Sequence, residues 1–225
     1  MTDVDACESD PETAQAVNGD APGALASACA NRDIGLVHVS TDYVFDGESD
    51  SPYEESAEPN PLQVYGASKL DGERQVRNSD ADALVVRLSF VYGVHAGSGE
   101  LTGFPAWVRD RLIAGETTTL FTDQRVTPSR AGQAAETILD LLSADAEGTV
   151  HVASRSCVTP YEFGDAVRER AGADPRLIEA GSMADVDREA ERPVNSCLDV
   201  TRVEELLGRS QPTLEADIDE IERTL

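Results

Sequence analysis

Short aliphatic runs alternate with helix-length stretches along this chain, and that alternation limits the architectures open to it. Gly35–Ser40 (GLVHVS) and Ala83–Ser89 (ALVVRLS) are nearly continuous apolar segments, the pattern of strands covered on both faces. Between them a polar, Pro-rich loop over 42–59 leads to Asn60-Pro61, which is expected to cap a helix through about Asn78. Upstream, Ser9-Asp10-Pro11-Glu12 places a capping side chain before a Pro at the first helical position, predicting a helix to about Asn31. Downstream, the pattern predicts a Gly-rich loop over Gly93–Gly103, a helix carrying Trp107, strands at Thr117–Phe121 and Thr149–Ala153, and helices at 130–143 and from Thr159-Pro160. A strand-like Leu-Ile-Glu-Ala, a Glu-Arg-Pro loop and two amphipathic helices close the chain. Strands separated by helices of this length imply an α/β fold with a doubly wound parallel sheet.

Composition then narrows the function. The chain has 225 residues, with 43 acidic and 18 basic side chains, for a formal net charge of -25. A field that negative repels phosphate backbones and anionic lipid, so neither nucleic acid nor a membrane is an expected partner. The longest apolar run, Ala83–Val94, is interrupted by Arg87, and no basic leader opens the chain, so a cytoplasmic protein is expected. Acidity of this kind also suggests a halophilic cytoplasm, where salt screens the repulsion. Cys7, Cys29, Cys157 and Cys197 lack metal-knuckle spacing and read as plain thiols. No metal set can be drawn from His38, His95 and His151, and the acidic stretch Leu214–Arg223 reads as a solvated helix face.

One constellation carries chemistry. Ser40-Thr41-Asp42 lies at the carboxyl end of a predicted parallel strand, where open α/β sheets bind ligands. Tyr65 and Lys69, four residues apart, share one helical face. A cation one turn away should stabilise a phenolate and lower the phenol's pKa, making Tyr65 a usable general acid or base. Thr41 could hold a substrate oxygen beside it, and the Lys69 ammonium could bond the ribose hydroxyls of a nicotinamide cofactor. Lys69 is the chain's single lysine, the other basic residues all being Arg. A generic surface cation here would be Arg; a compact ammonium points to a specific task.

On these residues the sequence resembles a known family. VHVSTDYVFDG (Val37–Gly47), PLQVYGASKLDGE (Pro61–Glu73), VVRLSFVYG (Val85–Gly93), FTDQRVTPSRAGQAA (Phe121–Ala135) and ERPVNSCLD (Glu191–Asp199) are similar to blocks of the dTDP-4-dehydrorhamnose reductases, extended short-chain dehydrogenases. The resemblance implies a Rossmann-type sheet and reduction of the C4 ketone of a nucleotide-linked 6-deoxyhexulose with NADPH, or NADH. It implies Thr41, Tyr65 and Lys69 as catalytic residues and Thr2, Tyr65 and Lys69 as cofactor contacts. Thr41, Asp42, Phe90 and Arg192 would contact the substrate, with Arg192 open to either a phosphate contact or a structural ion pair. A homodimer is the implied assembly.

Two departures accompany the resemblance. Phe90 stands where the family has a Trp that packs on the sugar, which costs an indole N–H. The family's opening strand, G-x-x-G-x-x-G turn and following βα unit have no counterpart, on the order of 60 residues at about 30 per βαβ step. Gly97-Ser98-Gly99 with Gly103 is no substitute, because loop residues separate it from the preceding strand and Pro105 opens the next helix; a flexible loop near the sugar is expected instead. Residues 1–145 should therefore be the remainder of an N-terminally truncated NAD(P)-binding domain, with 93–125 contributing to the substrate site and 146–225 forming mainly a small sugar-nucleotide subdomain. The same blocks also resemble the regulatory beta subunit of methionine adenosyltransferase, a non-catalytic binding protein, and an inactive truncated reductase is a further alternative.

Overall fold

The computed structural model describes residues 1–225 and is an α/β protein built on a parallel sheet. Strands β1 (Leu36–Thr41), β2 (Ala83–Leu88) and β7 (Gly148–His151) lie in the order β1-β2-β7, in parallel register from Leu36 opposite Ala83 and from Leu84 opposite Gly148. Side-chain alternation on β2 assigns its two faces. Val85 packs with Ala26 and Val76 from helices α3 (Ala21–Ala30) and α4 (Val64–Arg77). Leu84 and Val86 point the other way, onto Ala134 and Leu141 of α6 (Ala131–Ser143) and Val203 of α8 (Thr201–Leu207). Helices thus cover both faces of β2, which is why it reads as a nearly continuous apolar run, while Val39 of β1 remains exposed.

A second layer packs beside the sheet. Strand β5 (Thr118–Phe121) pairs in parallel with β8 (Ile178–Gly181), and helices α5 (Phe104–Ala114), α7 (Pro160–Arg170) and α9 (Leu214–Ile221) close on them around Tyr92, Leu120, Phe163 and Ile218. The chain crosses the 145/146 line in both directions: β7 joins the main sheet and α8 packs on it, while residues 92–121 supply five of the eleven buried residues of the second core.

Several local expectations change. The N-terminal helix is not one rod: α1 (Val4–Ser9) and α2 (Pro11–Ala14) are separated by Asp10, which caps α2, and a π-helical turn over Gln15–Asp20 leads into α3. That turn rotates Asn18 inward, where it is 4% exposed and donates to Ser68 of α4 at 3.3 Å. Helix α4 starts at Val64 rather than at Pro61: Asn60 does not cap it, and the Val64 N–H donates instead to the Glu8 carboxylate of α1 at 2.7 Å. Cys157 and Cys197 are joined as a disulfide, correcting their reading as plain thiols; residues 40 apart in sequence are brought together where the loop before α7 meets the Asn195–Leu198 segment, a proximity no spacing rule conveys. Cys7 and Cys29 are free. The Gly93–Gly103 loop is a β-hairpin of β3 (Val91–Val94) and β4 (Leu101–Thr102). The C-terminal acidic stretch is only partly a solvated face, since Asp217 of α9 is 1% exposed and pairs with Arg130 at 2.7 Å.

Candidate active site

At the carboxyl end of β1 the chain turns sharply, and Thr41 accepts from the Tyr43 N–H at 3.2 Å to fix a single 3-10 turn. Helix α4 lies directly on that turn. A Cβ on Gly66 would sit 2.0 Å from the Tyr43 carbonyl oxygen, and one on Gly72 would sit 2.2 Å from the Asn18 carbonyl oxygen, so these glycines set how closely α4 approaches. The result places Thr41, Asp42, Tyr65 and Lys69 on one open cavity of about 630 Å³, which Thr2, Val4, Tyr43, Leu88 and Phe90 also line.

The polar groups there are tightly bonded. Asp42, 3% exposed, accepts from Thr41 Oγ1 at 3.0 Å and from Ser89 Oγ at 2.8 Å. Burial pushes its carboxyl up to about 6, and the hydroxyls of Ser196, Ser89 and Thr41 limit the rise. Between the ordinary value of 3.8 and about 6 the folded protein binds this proton more tightly than the unfolded chain does. Asp42 therefore contributes stability that is complete below the lower value and is lost as pH rises through the upper one, a swing on the order of 2–3 kcal/mol. Asp42→Asn should flatten this part of the stability profile, seen as urea midpoints that no longer fall from about pH 4 to pH 6. An unchanged slope in the variant would refute the assignment.

Tyr65 departs from expectation in one respect. Burial pushes its phenol up to about 12; the facing Thr41 hydroxyl holds it back, while Asp42 and Cys7 add to the rise. Lys69 is not among the groups that hold it down; its ammonium donates to the Val39 carbonyl oxygen at 2.6 Å. Burial draws the ammonium down and the Glu73 carboxylate draws it up. The four-residue spacing on α4 is thus correct, but the cation spends a donor on the edge of β1. A phenol so raised keeps its proton through neutral pH and is a donor, not a base.

A second cavity of about 560 Å³ adjoins the first, and Val4, Tyr43 and Phe90 wall both. It adds the aromatic rings of Phe104, Trp107 and Phe121, together with Gln124, Asp5, Arg188 and Arg192. Arg188 lies over the Phe121 ring at 4.9 Å. Phe90 sits at the junction with a φ of 46°, a left-handed backbone that a bulky residue rarely adopts, and its ring packs 5.2 Å from Phe104. Of the residues singled out in the sequence, Thr2, Thr41, Asp42, Tyr65 and Lys69 line the first cavity, Phe90 lines both, and Arg192 lines the second. The Gly97–Gly99 hairpin tip lines neither.

Sequence reasoning passed over Tyr43, Asp5, Gln124 and Arg188. Tyr43 could have been found as the neighbour of Asp42; its ring meets Tyr65 edge-on at 6.2 Å. Asp5 and Arg188 carry no local signal, since only the tertiary fold brings α1 to the 186–192 segment.

The donors of the first cavity suit the nicotinamide riboside half of a dinucleotide. Thr2, Tyr65 and Lys69 offer hydroxyl, phenol and ammonium groups, and Val4, Leu88 and Val91 offer an apolar wall. No glycine lines that cavity to cradle a diphosphate.

Comparison with known proteins gives a consistent picture. The family model for the RmlD substrate-binding domain matches residues 1–225. The chain is 58% identical over 221 residues to a protein of Haloferax volcanii named "Probable low-salt glycan biosynthesis reductase Agl14", covering 98% of this chain and 74% of that one. It is 37% identical over 204 residues to the dTDP-4-dehydrorhamnose reductase of Mycolicibacterium smegmatis, covering 89% of this chain and 61% of the relative. The crystal structure of dTDP-4-dehydrorhamnose reductase from Bacillus anthracis in complex with NADP superposes with a TM-score of 0.90 at 26% identity, over 98% of this chain and 76% of that one. The chain thus spans between 61% and 76% of the length of these proteins.

Proposed function

Because the chain belongs to the RmlD substrate-binding domain family, we propose that it serves the NADPH-dependent reduction of a dTDP-linked 4-keto-6-deoxyhexulose, of the dTDP-4-dehydrorhamnose to dTDP-rhamnose type. The observation that carries this reading is the convergence of Thr41, Tyr65 and Lys69 on one cavity that shares Val4, Tyr43 and Phe90 with an aromatic, arginine-bearing second one. A relative in Haloferax volcanii named as a probable glycan biosynthesis reductase supports this reading, and a haloarchaeal setting would agree with the net charge of -25.

Each residue has a task. Thr41, anchored to Asp42, orients the Tyr65 phenol toward the ketone oxygen. Tyr65 gives that oxygen its proton as the C4 carbon gains hydride, which nicotinamide supplies when bound. Lys69, on the same cavity, would bond ribose hydroxyls of the cofactor when it is bound. Thr2 would hold the cofactor's ribose side. Phe104, Trp107 and Phe121 would flank the nucleotide base, Arg188 and Arg192 would take the diphosphate, and Phe90 would pack on the hexose.

Trp107 is the chain's single tryptophan, so its fluorescence reports on the second cavity directly. Titration with dTDP and with NADPH, followed by NADPH oxidation in the presence of the dTDP-4-keto-6-deoxyhexulose, tests the reading. Binding of both and oxidation of NADPH are expected. Absence of dTDP binding sinks the substrate class, and dTDP binding without oxidation leaves a binding protein in place of a reductase.

A further inference from the structure

Arg192 stands between two environments of opposite character. On one side is the aromatic cavity; on the other is a cavity of about 500 Å³ whose wall carries Asp46, Glu48, Asp50 and Glu191. A free guanidinium between them would find several carboxylates to pair with on the acidic side and none but Asp5 on the aromatic side. In the structure it is not free. Arg192 Nη2 donates to Asp5 Oδ2 at 2.8 Å and Nη1 donates to the Ala190 carbonyl oxygen at 2.8 Å, while the other oxygen of Asp5 accepts from the Ala190 N–H at 3.0 Å. One carboxylate on α1 thus holds both the backbone and the guanidinium of the 190–192 turn. A turn further along α1, Ser9 Oγ donates to Glu189 at 2.7 Å, so the contact runs along the helix.

We propose that Asp5 is a positioning residue for nucleotide-sugar binding: it fixes Arg192 toward the aromatic cavity and away from the acidic wall, leaving the rest of the guanidinium edge to a diphosphate. The inference rests on the reading of Arg192 as a diphosphate contact. At first sight a carboxylate beside that arginine should repel an anion. The alternative for an untethered Arg192 is worse, because the acidic wall would hold its charge outside the site. With its side chain 11% exposed, Arg192 gains more from a fixed partner than a solvated surface pair does. Helix α1 borders both cavities, through Thr2 before it and Val4 within it, so the element that lines the first cavity also carries the carboxylate that holds Arg192 on the second.

The test is calorimetric binding of dTDP and of thymidine to the intact chain, to Asp5→Ala, to Asp5→Asn, to Arg192→Gln and to the Asp5→Ala/Arg192→Gln double variant. Loss of a charge-assisted bond predicts dTDP binding about tenfold weaker in Asp5→Ala, with thymidine, which has no phosphate, unchanged. Asp5→Asn should move in the same direction, and Asp5→Ala should cost nothing further once Arg192 is Gln. Unchanged or tighter dTDP binding in both Asp5 variants would overturn the proposal, as would an equal loss for thymidine, which marks a merely structural role. If Arg192→Gln weakens dTDP while the Asp5 variants do not, only the role of Asp5 fails. If Arg192→Gln leaves dTDP binding intact, the diphosphate reading fails and this inference with it.

Discussion

Replacing Tyr65 by Phe is expected to lower turnover by about 10²–10⁴-fold, the range for removing a positioned general acid. The substitution deletes one oxygen and nothing else that holds the site together. The ring keeps its edge-on contact with Tyr43 at 6.2 Å, and the Gly66 backbone keeps its close approach to the Tyr43 carbonyl. Binding of dTDP, which depends on the second cavity, should therefore survive within about threefold, well under the 1.4 kcal/mol that separates a factor of ten. The pH dependence offers a sharper check. With the phenol pushed up to about 12, the proton needed for reduction stays in place through neutral and mildly alkaline conditions. No loss of rate attributable to Tyr65 should appear there. Steady-state kinetics with NADPH and the keto sugar measure both points, and a Phe variant that turns over at the parent rate would remove Tyr65 from the mechanism.

The largest expected effect on stability comes from Glu73→Ala. Glu73 is fully buried on α4 and Arg87 is 2% exposed on β2. They form a two-pronged pair, Nε to Oε1 at 2.8 Å and Nη2 to Oε2 at 2.7 Å, with Arg77 joining at 3.0 Å. Burial alone would raise the Glu73 carboxyl; the Arg87 guanidinium overcomes that and holds it below the ordinary range. Phe45 lies under the guanidinium at 5.1 Å, and the His151 ring faces it. Removing the carboxylate strands a desolvated cation in the middle of this packing and should cost about 3–5 kcal/mol. Replacing both partners, as Glu73→Leu with Arg87→Met, should recover most of that loss, because the penalty belongs to the orphaned charge rather than to the lost attraction. Urea unfolding of the parent and of these two variants decides the matter, and a single variant destabilised by under about 1 kcal/mol would show that water reaches the site.

Elements with a strong period were legible in the sequence, and those set by long-range contact were not. Strands β1 and β2 announce themselves by their aliphatic runs, and α7 by Thr159-Pro160 at its start, where the structure adds a reciprocal capping box between Thr159 and Glu162. The start of α4 at Val64 was not legible, because its first amide is met by Glu8, 56 residues away, and not by Asn60. The π turn at Gln15–Asp20 left no trace in the periodicity, since one extra residue per turn resembles ordinary drift in a helical pattern. The Tyr65 and Lys69 pair was visible from a four-residue spacing and a lone lysine, yet the bond from Lys69 to Val39 depends on how α4 lies across β1. The Cys157–Cys197 link, the buried Asp217 and the tether between Asp5 and Arg192 all join distant segments, where local composition carries no information.

The parallel register of β1, β2 and β7 has a kinetic consequence. Leu36 meets Ala83 and Leu84 meets Gly148, so every pairing in the central sheet must close a loop dozens of residues long before any contact rewards it. A chain with a net charge of -25 must also draw those segments together against its own repulsion. Nucleation of the sheet is therefore expected to be the slow, electrolyte-sensitive step of folding, and dilute buffer should retard refolding more than it weakens the finished structure.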